Sequence, residues 1–356
     1  MRNRWSRAQS GSQERRGGLA VFQGIPVVRS ELLDVPGNPV PDGAVCEVIE
    51  TRDRVRLRTA RWMPEPGRLR GTVTLLQGRA EFIEKYFETI SDLRARGFAV
   101  VTFDWRGQGG SQRLTRNSRR GHVSDMSRFV TDLETVLDKV TLASMPGPHY
   151  ALAHSTGGLV LLLGGARLRT RFERAVVTSP LIGLGPVGLS QPVVCRLSNL
   201  LARIGFSRAF VPGGRGRLRF SFEGNPLTSD ERRFRRSDAI VTEAPDLEIG
   251  APTIGWLAAA CRAMNKVLGR DFGPAYRLPT LVIAAGQDRI VSPRAAERFV
   301  RQTRVTSFLE IAGARHELLM EDDLYRDQTL AAFDAFVDDS EPVATPVRMA
   351  AGEEIS

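Results

Sequence analysis

Two apolar runs, Tyr150-Ala151-Leu152-Ala153 and Leu159-Val160-Leu161-Leu162-Leu163, flank the segment His154-Ser155-Thr156-Gly157-Gly158. The first run has the length of a buried strand and the second opens a helix-like stretch, so a sharp turn must join them. A serine at such a turn has its hydroxyl pushed clear of the backbone. Its neighbours two before and two after must be small, because a larger side chain would collide across the turn. Here they are Ala153 and Gly157, with alanine standing where glycine is usual.

The surrounding chain repeats the strand-and-helix alternation. Residues 44–51 and 54–62 alternate polar and apolar positions and predict an antiparallel hairpin around Arg52-Asp53. A strand near 71–77, a helix near 83–96 stopped by Gly97, and a strand over 98–103 follow. Apolar residues at Phe129, Val130, Leu133, Val136, Leu137 and Val140 have helical spacing over 126–142. A strand over 149–154, a helix over 156–168 and a strand over 174–179 complete the first half. Alternation of this kind implies a mostly parallel sheet with right-handed crossovers.

Two later strands end in residues that complement the serine. Residues 279–285 run into Gly286-Gln287-Asp288, and residues 306–311 run into Ala312-Gly313-Ala314-Arg315-His316. In an open α/β sheet, ligands bind outside the carboxyl ends of the strands, which is where Ser155, Asp288 and His316 all fall. A serine hydroxyl needs a base to take its proton as it attacks a carbonyl, and His316 is the candidate. Asp288 would hold the imidazole in the right tautomer. His122 is the rival base, but it precedes the nucleophile and breaks the chain order serine, acid, histidine. Two backbone N–H groups are needed for the oxyanion. Thr156 offers one, and Arg79, in the Gln77-Gly78-Arg79-Ala80-Glu81 loop after the third strand, offers the other. The Arg79 side chain is expected to pair locally with Glu81 or Asp104 rather than reach a substrate phosphate.

Taken together these residues resemble a serine hydrolase of the α/β-hydrolase fold, on the branch of bacterial lysophospholipases and monoglyceride lipases. Residues 77–86, Gln-Gly-Arg-Ala-Glu-Phe-Ile-Glu-Lys-Tyr, resemble the lysophospholipase form of the oxyanion loop more than the His-Gly form of monoglyceride lipases. Residues 103–111, Phe-Asp-Trp-Arg-Gly-Gln-Gly-Gly-Ser, match the loop after the fourth strand, and Gly121-His122-Val123 recurs beyond it. The resemblance covers about residues 30–340. It implies an eight-stranded, mostly parallel sheet flanked by helices, with a helical cap insertion. It also implies hydrolysis of a carboxylic ester of a single-chain lipid, a lysophospholipid or a monoacylglycerol. An aminopeptidase or small-ester hydrolase on the same scaffold, or a silent member that binds lipid or a partner, are the alternatives.

The domain plan that follows is a basic tail over 1–30, a first core part over 31–180, a cap over 181–276, a second core part over 277–340 and a polar tail over 341–356. Ile182, Leu184, Phe206, Phe210, Phe220, Trp256 and Leu257 are candidates to line the cap. Asp104 is expected to pair with Arg106, and His154 to be a packed, hydrogen-bonded core residue pointing away from Ser155. With 356 residues and 42% hydrophobic content the chain can bury a full core. No apolar run approaches membrane-spanning length.

Cys46, Cys195 and Cys261 are odd in number and lack ligand-like spacing, so they read as unpaired thiols in a reducing compartment. The expectation is therefore a cytoplasmic protein, extending to peripheral contact at the inner face of the membrane. No metal or cofactor is expected, since no cluster has ligand spacing. The net charge of +10 is carried almost entirely by arginine scattered along the chain, and neither a groove-reading helix nor interleaved aromatics support a nucleic-acid partner. Arginines concentrate at 203–219 and 232–236, which predicts a basic rim on the cap facing anionic lipid.

Overall fold

The chain enters its sheet through the antiparallel hairpin that the alternation predicts, β1 (Val45–Glu50) and β2 (Arg56–Trp62). Its turn is tied by Thr51, whose hydroxyl donates to Asp53 at 2.6 Å and accepts from the Val55 N–H at 3.0 Å. The computed structural model describes residues 28–338 apart from 68, 187 and 218–220. The tails expected over 1–30 and 341–356 lie outside the described residues except for 28–30.

Next come β3 (Gly71–Leu76), a 3₁₀ turn (Ile83–Tyr86), α1 (Phe87–Ala95) and β4 (Phe98–Phe103). Helix α2 (Ser127–Val136) runs through a π-helical turn (Leu137–Thr141) into the short α3 (Leu142–Ser144). Then follow β5 (His149–His154), α4 (Thr156–Leu163), α5 (Gly165–Leu168) and β6 (Arg174–Thr178). The alternation then stops for almost a hundred residues. That stretch holds α6 (Gln191–Arg203), α7 (Glu231–Glu243), α8 (Ile254–Val267) and α9 (Phe272–Ala275). It resumes with β7 (Thr280–Ala285), α10 (Pro293–Arg301), β8 (Thr306–Ile311) and α11 (Asp323–Asp338).

The eight strands form one sheet in the order β1-β2-β4-β3-β5-β6-β7-β8. Pairings from β4 to β8 are parallel, and only β1–β2 and β2–β4 are antiparallel. Every residue of β3 and β4 is buried, as a parallel strand covered by helices on both faces requires. Two apolar cores result. One packs α2, α4 and α8 on one face, through Leu133, Leu161 and Met264. The other packs α1 and α11 on the opposite face, through Ile90, Phe98 and Phe333. The strand order turns at β3, since β4 lies to one side of it and β5 to the other. The loops leaving β3 and β5 therefore diverge around a crevice, the place where open α/β sheets bind ligands.

The cysteines depart from expectation. Cys195 on α6 and Cys261 on α8 are joined in a disulfide with Cα atoms 5.5 Å apart, and Cys46 remains free. The two helices pack side by side, a tertiary contact between residues 66 apart that spacing along the chain does not reveal. Disulfides persist in oxidising compartments, so the cysteines no longer argue for a reducing one. Among the described residues, no helix is long and apolar enough to cross a membrane.

Candidate active site

Ser155 stands between β5 and α4 with φ = 50° and ψ = −109°, a backbone conformation that costs a non-glycine residue of order 1–3 kcal/mol. Main-chain bonds on both sides hold it there. Its N–H donates to Thr178 O at 3.0 Å, and its own carbonyl accepts from Leu181 N at 3.0 Å and Leu159 N at 3.1 Å. The need for a small residue two positions on is steric. A Cβ at Gly157 would lie 2.5 Å from the Leu76 carbonyl oxygen and 2.7 Å from that of Gln77. Ala153 is fully buried, so its methyl is accommodated.

The loops after β7 and β8 deliver the other two groups. His316 Nδ1 donates to Asp288 Oδ2 at 2.7 Å, and His316 Nε2 faces Ser155 Oγ at 3.1 Å. An ionised carboxylate only accepts hydrogen bonds, so the ring proton belongs on Nδ1 and Nε2 is free to accept. All three side chains are buried. Burial alone would raise the Asp288 pKa, but the bond from His316 and the N–H groups of Val291 and Ile290 hold it below the ordinary carboxylate range. Asp288 Oδ1 accepts those two N–H groups at 3.0 and 2.8 Å. The carboxylate is thus charged and fixed, as a partner for an imidazolium must be.

The loop after β3 is braced from several directions. Trp105 Nε1 donates to Gln77 O at 2.9 Å, and Gln108 Nε2 donates to Gly78 O at 2.9 Å and Glu81 O at 3.3 Å. Glu81 accepts the Gly78 N–H and, at 2.7 Å, the Tyr86 hydroxyl. Lys85 Nζ bridges Glu81 at 2.8 Å and Glu317 at 2.6 Å, coupling this loop to the residue after His316. Burial opposes ionisation of Glu81, but the Lys85 ammonium outweighs it and brings the pKa to about 2. Among the described residues, the backbone N–H groups of Arg79 and Thr156 make no hydrogen bond to protein. Sequence reasoning missed Lys85, Gln108 and Glu317 and gave Glu81 the wrong partner; the local signal was the i,i+4 spacing of Glu81 and Lys85.

Other expectations need correction. Asp104 pairs with Arg58 at 2.6 Å, not with Arg106, whose guanidinium bonds Asp132 and Asp53, each at 2.6 Å. Pairing residues two apart along a loop ignored where the loop points them. Arg79 pairs with neither Glu81 nor Asp104. Its Nη2 donates to the Gly250 carbonyl at 2.6 Å, and its guanidinium lies over the Trp256 ring at 5.2 Å. His154 is buried and 3.2 Å from the Thr178 hydroxyl, as expected of a core histidine. Its ring nonetheless lies 4.8 Å from that of His316. Burial drops the His154 pKa to about 3, so it stays neutral beside His316. His122 bonds Thr253 at 2.9 Å. Of the 232–236 arginines, Arg233 is buried against Glu88, Asp230 and Asp323, and Arg236 also bonds Glu88. Arg232 and Arg235 face solvent, so the segment both ties α7 down and exposes two of its four arginines.

Ser155 and His316 open onto a cavity of about 740 Å³. Its wall is mainly apolar, and α6, α7 and α8 contribute Val194, Leu201, Phe234, Trp256 and Leu257 to it. Of the seven candidate lining residues, Leu184, Trp256 and Leu257 are on it, and Ile182, Phe206 and Phe210 are not. Phe220 lies outside the described residues.

Comparison with known proteins places the chain in a family and a fold. The chain matches the serine aminopeptidase, S33, family over residues 67–323. It is 32% identical over 279 residues to lysophospholipase L2 of Escherichia coli strain K12, covering 73% of this chain and 78% of that one. A probable lysophospholipase L2 of Haemophilus influenzae is 28% identical over 273 residues, covering 76% and 84%. A soluble variant of the Saccharomyces cerevisiae monoglyceride lipase, solved with a substrate analog, has a TM-score of 0.66 at 20% identity, covering 83% of this chain and 96% of that chain. The fold is that of the α/β-hydrolases.

Proposed function

The chain belongs to the serine aminopeptidase, S33, family, and from that premise we propose that it hydrolyses carboxylic esters of single-chain lipids through an acyl-serine intermediate. Ser155 Oγ attacks the ester carbonyl while His316 Nε2 takes its proton. Asp288 stabilises the imidazolium that forms. The Thr156 and Arg79 N–H groups receive the oxyanion. The tetrahedral intermediate collapses as His316 returns the proton to the departing alcohol. Water, deprotonated by the same nitrogen, then releases the fatty acid.

The observation that carries this reading is the relay from Asp288 through His316 to Ser155, at 2.7 and 3.1 Å, on the floor of a largely apolar cavity. Segment 181–276 acts as the cap, giving an acyl chain an apolar wall and excluding water. The names of the relatives, lysophospholipase L2 and monoglyceride lipase, support a single-chain lipid over a small ester. Peripheral contact with an anionic lipid surface belongs to the same proposal. Val193, Leu197 and Leu200 of α6 and Ile204 just past its end are exposed at helical spacing, beside the exposed Arg196 and Arg203.

Ser155→Ala is expected to cut kcat/KM by at least about 10⁴-fold with the fold intact, and a fluorophosphonate probe should label only the wild type. Labelling of both proteins would overturn the assignment of the nucleophile. A panel of acyl-matched lysophospholipids, monoacylglycerols, short esters and an aminoacyl amide reads the substrate class. Preference for the amide would overturn the lipid-ester reading. Vesicle sedimentation that ignores both anionic lipid content and salt would remove the membrane contact.

A further inference from the structure

Arg79 is a cation in the cavity wall without an acidic partner. Of the four carboxylates lining the cavity, Glu81 and Glu317 pair with Lys85 and Glu248 with Arg119 at 2.6 Å, and Asp238 of α7 does not pair with Arg79. Asp104, the other acid that sequence proximity suggested, is taken by Arg58. Arg233, another cation of the wall, is paired three times over. Arg79 makes no ion pair among the described residues. It has one bond to the Gly250 carbonyl, the face of Trp256, and a buried Nε with no acceptor. Burying a guanidinium without a counter-charge is costly, and a carbonyl plus an indole face leave most of its five donors unused. Burial lowers its pKa to about 9, with no carboxylate nearby to oppose the shift.

Building on the reading above, we propose that the Arg79 guanidinium binds a phosphate carried by the leaving alcohol, so that the site selects lysophospholipids over uncharged monoacylglycerols. The reach is right. In a 1-acyl lysophospholipid six bonds separate the ester carbonyl carbon from phosphorus, an extended span of about 7 Å at ~3.5 Å per three bonds. The Arg79 guanidinium is five bonds from its own Cα, on the residue whose N–H faces the oxyanion. One residue therefore addresses both ends of the same span, and the planar fork suits two phosphate oxygens. The Trp256 ring, with its centroid 5.2 Å from the guanidinium carbon, packs against the fork.

The test uses Arg79→Gln and Arg79→Lys in the full chain, with thermal melts to confirm folding. Acyl-matched 1-acyl-glycerophosphoglycerol and 1-monoacylglycerol are compared by kcat/KM. Losing a charged hydrogen-bonding partner should lower the ratio of the first to the second by about 10- to 100-fold in Arg79→Gln, mainly through KM, with partial recovery in Arg79→Lys. An unchanged ratio, even with both rates reduced, overturns the proposal and leaves Arg79 as a tie between the β3 loop and Gly250.

A binding arm needs no turnover. A 1-O-alkyl-glycero-3-phosphate and the matching 1-O-alkylglycerol are titrated into Ser155→Ala protein with and without Arg79→Gln. Selective loss of the phosphate ligand supports the anchor, and equal loss of both overturns it. Inorganic phosphate, titrated alone, separates a free-anion site from a headgroup site, since tight Arg79-dependent binding of free phosphate with no preference for the alkyl phosphate would overturn a headgroup role. Absence of ester turnover in the wild type would strike the hydrolase reading, whereas the binding arm judges Arg79 by itself.

Discussion

Replacing Arg58 by methionine removes the cation that bridges two buried carboxylates. Arg58 is fully buried. It donates to Glu84 at 2.7 and 2.8 Å, to Asp104 at 2.8 Å and to the Glu31 carbonyl at 3.0 Å. Methionine restores most of the volume, so the loss is electrostatic. Leaving one charge of a buried pair uncompensated costs about 3–5 kcal/mol. Here two are left, but each keeps other donors. Asp104 still accepts Ile83 N at 3.0 Å and Gly110 N at 2.7 Å, and Glu84 accepts Leu33 N at 3.2 Å. The expected deficit stays near about 3–5 kcal/mol, or a melting-temperature drop of roughly 6–10 °C at about 2 °C per kcal/mol for a chain of this size.

A pH series gives a second signature. Burial without a cation favours the neutral carboxyl, so the variant's native state holds protons that its unfolded state releases above about pH 4–5. Its stability then falls as pH rises, and the gap to wild type widens between pH 5 and pH 8. Converting both acids to amides, Glu84→Gln with Asp104→Asn, should recover part of the loss in the methionine background. Equilibrium denaturation and calorimetry read all of this. A deficit below about 1 kcal/mol, or one indifferent to pH, refutes the reasoning.

Gly157→Ala forces a methyl against the carbonyls of Leu76 and Gln77, which are main chain and cannot rotate away. The expected cost is about 1–3 kcal/mol, with activity lost before the fold is; an active variant with unchanged melting would contradict the crowding. Titration of unreduced, denatured protein should find one thiol, Cys46, since Cys195 and Cys261 are bonded. Removing that pair opens a loop of 66 residues, which costs up to about 4 kcal/mol, and three free thiols would exclude the bond. Burial would raise the Glu88 pKa, but its bonds to Arg233 and Arg236 bring it to about 2. Its contribution, up to about 3 kcal/mol, is whole above about pH 4.5 and drains away as pH falls toward 2. The difference between wild type and Glu88→Gln should shrink over that interval; a difference constant from pH 7 to pH 3 would argue against the pairing.

The sheet and the candidate triad were legible because their signals are local and redundant. Apolar runs such as 98–103 and 279–285 are short and bounded, and the observed strands match them nearly residue for residue. Ser155, Asp288 and His316 each follow a strand, and a parallel sheet brings strand ends to one edge whatever the sequence separation. The long helix expected over 126–142 is present, but a π-helical turn at Leu137–Thr141 interrupts it. Apolar periodicity does not register such a widening. What stayed hidden depends on pairing at a distance. Arg58 sits in an alternating strand that gives no hint of two acids waiting for it. The disulfide joins two helices of the insertion, and Lys85 finds Glu317 only because the loops of β3 and β8 meet. The Arg79 pairing failed for the converse reason: its sequence neighbours had already been claimed by partners elsewhere.

At Gly157 the helix after Ser155 rests directly on carbonyls at the end of β3, with no room for a methyl. The spacing between the two loops is thus set by contact of main chain with main chain. Side chains at the rim can be exchanged without altering that gap. On the proposed mechanism, stabilising charge and choosing a guest are then separate tasks, the first given to peptide groups and the second to residues that protrude into the chamber. Variants that retarget the enzyme should be sought among the latter, where a change of clientele need not disturb the chemistry.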